Sequence, residues 1–293
     1  MKKWLIVAAT SLLLLSSCTK EEATTPAPDQ AQTDQAEPTK TEGAEPPAST
    51  GTQAQVHTPA EQSATGETAK PTEPKNTAEL KYKMDKAYNI VPIQEGSSKK
   101  VVLLTFDDGP KKKEMINGLI DVLDKHHAKA IFFVNGYRVK EHPELLKLIH
   151  DRGQIIGNHS WDHIELRKLP AAKVKKQIED VQQIVEDTIG EAPVFFRPPF
   201  GTGGDIGRQV AKENGLLYMT WSNGSLDWTM KSKDQDNPTK LMNNVLEQLH
   251  PGSNILMHEL PWTVEGLDSL LSALEKKGYS FVDPNTISIK DSE

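Results

Sequence analysis

A parallel α/β fold is predicted for residues 79–293 of this 293-residue chain. Seven short apolar runs alternate with stretches whose apolar residues recur at helical spacing. The first run, Val101–Phe106, is continuous, as a strand buried on both faces requires. The chemically capable residues fall just past the C-terminal ends of the runs, the edge on which parallel α/β folds build their sites.

The elements follow in order. After Val101–Phe106 and its Asp-Asp-Gly-Pro ending, Met115, Ile116, Leu119, Ile120 and Leu123 mark a helix. Ala130–Val134 is the second strand. Pro143 opens a helix through Leu145, Leu146 and Ile149 that Gly153 can terminate. Gln154–Gly157, leading into Asn158-His159, is the third strand. A long helix from Pro170 to Ile189 carries its stripe at Val174, Ile178, Val181 and Val185 and closes at Gly190. Val194–Phe196 is the fourth strand, and a helix near Asp205–Asn214 leads to the fifth, Leu216–Trp221. Pro238–Leu249 is helical, Asn254–Met257 a strand, Val264–Lys277 helical and Tyr279–Val282 the last strand. Periodicity does not separate a closed barrel from an open doubly wound sheet. Residues 79–100, with Leu80, Tyr82, Met84, Tyr88 and Ile90, are expected to pack on the outside of the domain.

The chain before residue 79 reads differently. Lys2, Lys3 and the apolar stretch Trp4–Leu15 form an export signal, too short to span a bilayer of ~30 Å. Leu15-Ser16-Ser17-Cys18 has the form of a bacterial lipobox, and the only cysteine of the chain stands where lipidation requires it. An ordinary signal peptide with an incidental cysteine is the alternative. A single cysteine excludes an intramolecular disulfide and a Cys-based zinc site. Residues 19–78 hold eight prolines, thirteen threonines and one valine, with no Leu, Ile, Met or aromatic residue. With nothing to bury, the stretch is expected to be a disordered tether reaching about 45 Å on average. Its four Lys against ten Asp/Glu give −6; with Lys2 and Lys3 set aside, about −3 of the total −7 remains for the folded part. An acidic chain of pI near 5.8 has no electrostatic reason to bind nucleic acid.

The strand ends carry Asp107 and Asp108, His159 and His163, Arg197, Asp227 and Trp228, and His258. A lone Asp-Asp pair is most often two solvated carboxylates, and two histidines four apart are most often incidental. Here Asp107 and Asp108 end a buried strand before the Gly109-Pro110 turn. On one helical turn His159 and His163 would point the same way, as two ligands of one metal must. One aspartate with two histidines makes three protein ligands and leaves positions for water, the composition of a catalytic metal site.

Five motifs stand in order: Thr105-Phe106-Asp107-Asp108-Gly109-Pro110, His159-Ser160-Trp161-Asp162-His163, Arg197-Pro198-Pro199-Phe200-Gly201, Ser225-Leu226-Asp227-Trp228 and Ile255-Leu256-Met257-His258. Together they resemble the polysaccharide deacetylases (carbohydrate esterase family 4, the NodB homology domain) over roughly residues 98–285. The resemblance implies a distorted (β/α)7 barrel that removes acetyl groups from polysaccharides with one divalent metal, Zn²⁺ foremost and Co²⁺ or another divalent ion as alternatives. It assigns Asp108, His159 and His163 to the metal, Asp107 as general base, His258 as general acid and Arg197 as the residue that orients Asp107. The backbone N–H of Phe200 would hold the oxyanion, Leu256 and Trp228 would line the acetyl pocket, and Asp227 would support the acid. Two positions depart from the pattern: Phe200 replaces the usual Tyr, and Gly224 stands where members often carry an extra Asp three residues before Asp-Trp.

The expected function is N-deacetylation of an extracytoplasmic polysaccharide, most readily peptidoglycan N-acetylglucosamine, by a monomer lipid-anchored at Cys18 to the cell membrane. Chitin-type oligomers and O-acetylated xylan are the alternative substrates, and Trp262 is expected to be free to stack on sugar. The competing expectation is a non-catalytic glycan-binding lipoprotein; the complete set of ligands, base and acid argues against it. His57, His126, His127, His142, His150 and His250 are assigned no role.

Overall fold

Side chains of a buried parallel strand alternate between two faces, and in the strand β3 (Val101–Gly109) both faces are filled. Val102, Leu104 and Phe106 join the core under the helices, while Val101 and Leu103 join a second cluster inside the curl of the sheet. The same split recurs in β4 (Ala130–Val134), where Phe132 faces the helices and Ile131 and Phe133 face inward. The computed structural model describes residues 78–290. The signal, the lipidation position Cys18 and nearly all of the tether lie outside the described residues. Among these, no helix is long and apolar enough to cross a membrane.

From β3 onward the chain alternates as predicted. Helix α1 is Lys113–Lys125, α2 Gly136–Glu141 and α3 Pro143–Asp151, before β5 (Ile155–Asn158). Helix α4 (Ala171–Ile189) ends at Gly190 with φ 85°. Then come β6 (Phe195–Phe196), α5 (Gly204–Glu213), β7 (Leu217–Tyr218), β8 (Asn223–Gly224), α6 (Asn237–Glu247), β9 (Ser253–His258), α7 (Pro261–Lys276) and β10 (Ser280–Phe281). The strands pair in parallel in the order β7-β6-β5-β4-β3-β9-β8, with β10 beside the first residues of β3. Among the described residues no ladder joins β7 to β8, so the sheet is a distorted barrel of seven strands, β3 to β9, with a seam.

Three expectations need correction. Leu216–Trp221 is not one strand; the chain forms β7, leaves the ladder at Thr220 and rejoins the sheet on the far side of the seam as β8. The physical reason is that the Thr220 carbonyl accepts bonds from Arg197 Nε (3.1 Å), Arg197 Nη2 (2.8 Å) and Asn254 Nδ2 (3.1 Å). The last apolar run, β10, accordingly lies off the barrel path. Residues 79–100 also do more than cover the outside. They form a hairpin of β1 (Tyr82–Met84) and β2 (Ile90–Pro92), whose Tyr82, Met84 and Ile90 are buried with the inward-facing Leu103, Phe133 and Leu217.

The hairpin is locked by backbone contact at Gly252. Ile90 N–H donates to the Gly252 carbonyl (2.8 Å), and Gly252 N–H donates to Val101 (2.9 Å). Gly252 has φ 81°, and a Cβ there would lie 2.3 Å from the Ile90 oxygen. Gly252→Ala therefore adds a steric collision to a left-handed backbone. It is expected to cost about 2–4 kcal/mol in urea unfolding; an unchanged midpoint would show that the hairpin docks otherwise.

Candidate active site

The inward face of the barrel changes character along the strands. Below, it is Leu103, Ile131 and Phe133; above, it is Thr105, Asp107, Arg197 and Asn254, all buried. Asp107 lies inside β3, not beyond its end, and pairs in register with His258 of β9. Between Phe106 and Gly109 the β3–β4 register slips, and Asp108 takes φ 67°. The two neighbouring carboxylates share His159, whose Nε2 lies 3.6 Å from Asp107 Oδ2 and 3.4 Å from Asp108 Oδ1, but only Asp107 also reaches Arg197 and only Asp108 also reaches His163.

Asp107 Oδ1 accepts a bond from Arg197 Nη1 (2.7 Å). The guanidinium is fully buried, and each N–H finds an acceptor among Thr105 Oγ1, Asp107, the Thr220 carbonyl and Asn254 Oδ1. It also lies over the Phe133 ring, 4.4 Å from its centroid. Burial pushes its pKa down, and the Asp107 charge opposes that shift. A buried cation with every donor satisfied holds Asp107 in one orientation.

Asp108 Oδ1 lies 3.4 Å from His159 Nε2 and 3.1 Å from His163 Nε2. The two histidines do not share a helical turn, contrary to the expectation from their spacing. They sit in a loop after β5 in which Ser160 and His163 have φ of 65° and 54°, and this reversal brings their ring centroids within 5.0 Å. Their convergence is thus a property of the loop, which other residues clamp. Asn135 Nδ2 donates to the His159 carbonyl (2.9 Å). Asp162 and Gln177 exchange two bonds: Asp162 N–H to Gln177 Oε1 (2.9 Å) and Gln177 Nε2 to Asp162 Oδ2 (2.6 Å).

These donors fit a divalent cation. One ligand atom from each of Asp108, His159 and His163 lies within 4.8 Å of the others, and Asp108 Oδ1 is buried without a hydrogen-bond partner. His159 Nδ1 donates to the Arg197 carbonyl (2.7 Å), so its Nε2 presents a lone pair to the carboxylate. Acceptors that converge in this way repel unless a cation stands among them. Burial alone would raise the Asp108 pKa; imidazoles that turn a proton to the carboxylate outweigh it and hold the carboxyl below the usual range, and a cation among the three groups acts in the same sense.

On the adjoining strand, His258 Nδ1 donates to Asp227 Oδ1 (2.7 Å). Asp227 is fully buried, and its Oδ2 accepts from His258 N–H (2.7 Å) and Thr263 Oγ1 (2.8 Å). Burial alone would lower the imidazole pKa; the Asp227 carboxylate overrides it, and the pKa is raised. A carboxylate beside His258 is therefore present despite Gly224, whose N–H and carbonyl are both taken by Gln248. Trp228 is 43 % exposed with its ring 5.5 Å from His258, Leu256 is buried, and Phe200 (φ 57°) lies 62 % exposed against His163. Trp262 is not free for sugar: it belongs to α7, packs on the core, and its indole N–H donates to the Asp227 carbonyl (3.0 Å).

Four contributors escaped the sequence reading. Asn135 ends a strand as the others do, and Gln177 is a polar residue on the apolar stripe of α4; both were visible signals. Asn254 and Glu259 carried none beyond their place on β9 or next to it.

Known proteins resemble this chain in sequence and in fold. The profile of the polysaccharide deacetylase family matches residues 94–219. The peptidoglycan-N-acetylglucosamine deacetylase of Bacillus cereus is 35% identical over 190 residues, covering 63% of this chain and 67% of that protein. PgdA of Listeria monocytogenes, a peptidoglycan-N-acetylglucosamine deacetylase, is 36% identical over 191 residues; they make up 65% of this chain and only 39% of the relative. The crystal structure of a pseudoenzyme of carbohydrate esterase family 4 from Bacillus anthracis superposes with a TM-score of 0.59 at 29% identity, over 63% of each chain. Fold alone thus does not guarantee activity.

Proposed function

The chain belongs to the polysaccharide deacetylase family, and from that premise we propose that it hydrolyses N-acetyl groups of peptidoglycan N-acetylglucosamine in a metal-dependent reaction. The observation that carries the reading is the joint placement of Asp107, Asp108, His159, His163 and His258 at the C-terminal ends of β3, β5 and β9. The named relatives are peptidoglycan deacetylases, which favours that polymer over chitin oligomers or acetyl-xylan.

Asp108, His159 and His163 would hold the cation, with Zn²⁺ suited to one carboxylate and two imidazoles. When bound, it supplies Lewis acidity that activates water and polarises the acetyl carbonyl. Asp107, held by Arg197, accepts the proton of the attacking water. The Phe200 N–H stabilises the oxyanion as the new C–O bond forms. His258, kept protonated by Asp227, delivers its proton to the sugar nitrogen as the C–N bond breaks. Acetate and a free amine leave. Leu256 and Trp228 shield the acetyl methyl from water.

The test is acetate release from peptidoglycan, chitooligosaccharide and acetyl-xylan, with metal analysis of the same preparation. Peptidoglycan is expected to yield acetate, with activity lost on chelation and restored by Zn²⁺. Bound metal without acetate from any of the three polymers would leave the non-catalytic reading. Run on separated fractions, the same assay addresses the anchor: Cys18→Ala is expected to move activity from membranes to the soluble fraction.

A further inference from the structure

Among the described residues, Glu259 is the one buried carboxylate near the site that the proposed chemistry does not use. It follows His258 directly and is 1% exposed. Its Oε2 accepts the Lys111 backbone N–H at 2.8 Å, across 148 positions of sequence. Its Oε1 has no partner. The carboxyl group lies against Gly109 with Oε1 foremost: a Cβ built there would be 2.1 Å from Oε1 and 3.0 Å from Cδ. Residues Gly109 to Lys111 thus wrap around this carboxyl, which takes the space a side chain at 109 would need.

That turn is the continuation of Asp107 and Asp108. It is held from the other side by Asn135, whose N–H donates to the Gly109 carbonyl (2.9 Å). The Lys111 ammonium stands 3.9 Å from Asp108 Oδ2. Past the turn, α1 starts at Lys113 without a side-chain cap. Burying a carboxyl with one oxygen unpaired costs free energy that an apolar residue would avoid. Local rules are broken in this way mainly where function demands it.

We propose that Glu259 is a positioning residue for this site: from the end of β9 it clamps the Gly109–Lys111 turn and thereby sets Asp107 and Asp108 against His258. The inference rests on the deacetylase reading for its kinetic consequence, but not for its effect on metal binding. Burial pushes the Glu259 pKa up to about 7, and the clamp works in either state, because a carboxyl group and a carboxylate both accept the Lys111 N–H.

The experiment compares the wild-type chain with Glu259→Ala, Glu259→Gln and Glu259→Asp. It measures the Zn²⁺ dissociation constant by competition with a chromophoric chelator, alongside kcat and KM for acetate release. Glu259→Ala is expected to weaken Zn²⁺ at least 10-fold and to lower kcat at least 10-fold, with KM within about 3-fold. Glu259→Asp keeps the charge but shortens the reach to Lys111, and is expected to resemble Ala. Glu259→Gln keeps an acceptor at full reach and is expected to restore both quantities to within about 3-fold of wild type. Wild-type values in Glu259→Ala would overturn the proposal. So would a folded Glu259→Gln as impaired as Ala, since that would assign the role to the charge. If the wild-type chain released no acetate while Glu259→Ala still weakened Zn²⁺, the deacetylase reading would fall and the clamp would stand.

Discussion

Asp107→Asn is expected to lower kcat for acetate release by about 10³-fold, within the range of 10²–10⁴ that a positioned general base contributes. The amide can still accept from Arg197 Nη1, which lies 2.7 Å from the carboxylate oxygen it would replace, so the side chain keeps its place. What it loses is the ability to take a proton. Asp108, His159 and His163 are untouched, and the variant is expected to bind Zn²⁺ with the wild-type stoichiometry. It should also be less stable, because the Arg197 guanidinium, fully buried, is left without a counter-charge. Acetate release above a tenth of the wild-type rate in a metal-loaded preparation would place the base elsewhere.

Asp227→Asn is expected to lower kcat by about 10²-fold and to move the alkaline limb of the pH–rate profile to lower pH. Here the sign follows from two opposed effects on His258. Burial disfavours the imidazolium, and the carboxylate bonded to Nδ1 favours it; the carboxylate wins, and the pKa is raised. With an amide in its place, burial is opposed only by the weaker effect of the Asp107 and Asp108 charges, so the acid loses its proton at a lower pH. Stability follows the same linkage. A raised folded-state pKa stabilises fully below the unfolded value and is lost as pH rises through the folded value, so the variant should be destabilised most on the acid side of that window. The profile of kcat/KM against pH reads the first effect and thermal unfolding against pH the second. An alkaline limb that does not move would remove Asp227 from the acid's environment and leave it a structural anchor for Thr263 and Trp262.

The departures from the family pattern look different in the folded chain. Gly224 lacks a carboxylate, yet the position beside His258 is filled by Asp227, which three further donors hold in place. A Cβ at Gly224 would stand 3.3 Å from the Trp228 ring, so the glycine also sets how closely that ring approaches. The pseudoenzyme relative shows that the barrel outlives its chemistry in this family, and the residues at the strand ends, not the barrel, carry the functional argument.

Much of the architecture was legible because it is encoded locally. The continuous apolar runs of β3 and β4, the four-residue stripe of α4 and its glycine stop, and the proline at the start of α3 each depend on neighbours within one or two turns. So did the sorting of Asp107, Asp108, His159, Arg197 and His258 to strand ends. The histidine pair does converge, but not for the reason its spacing suggested, since spacing of four carries meaning only on a helix and the loop there is not one.

By itself, then, the sequence determined the order of strands and helices and which reactive side chains stand at their ends, because period, capping and turn chemistry act over a few residues. Only the tertiary structure decided that the fifth run splits at Thr220, that Trp262 turns inward, that Arg197 reaches Asp107 while His163 reaches Asp108, and that Glu259 is buried under Gly109. Those outcomes rest on contacts such as Arg197 to Asp107 and Lys111 to Glu259, separated by 90 and 148 positions. Side chains so distant in the chain meet only after the sheet has curled, and no local pattern records the meeting.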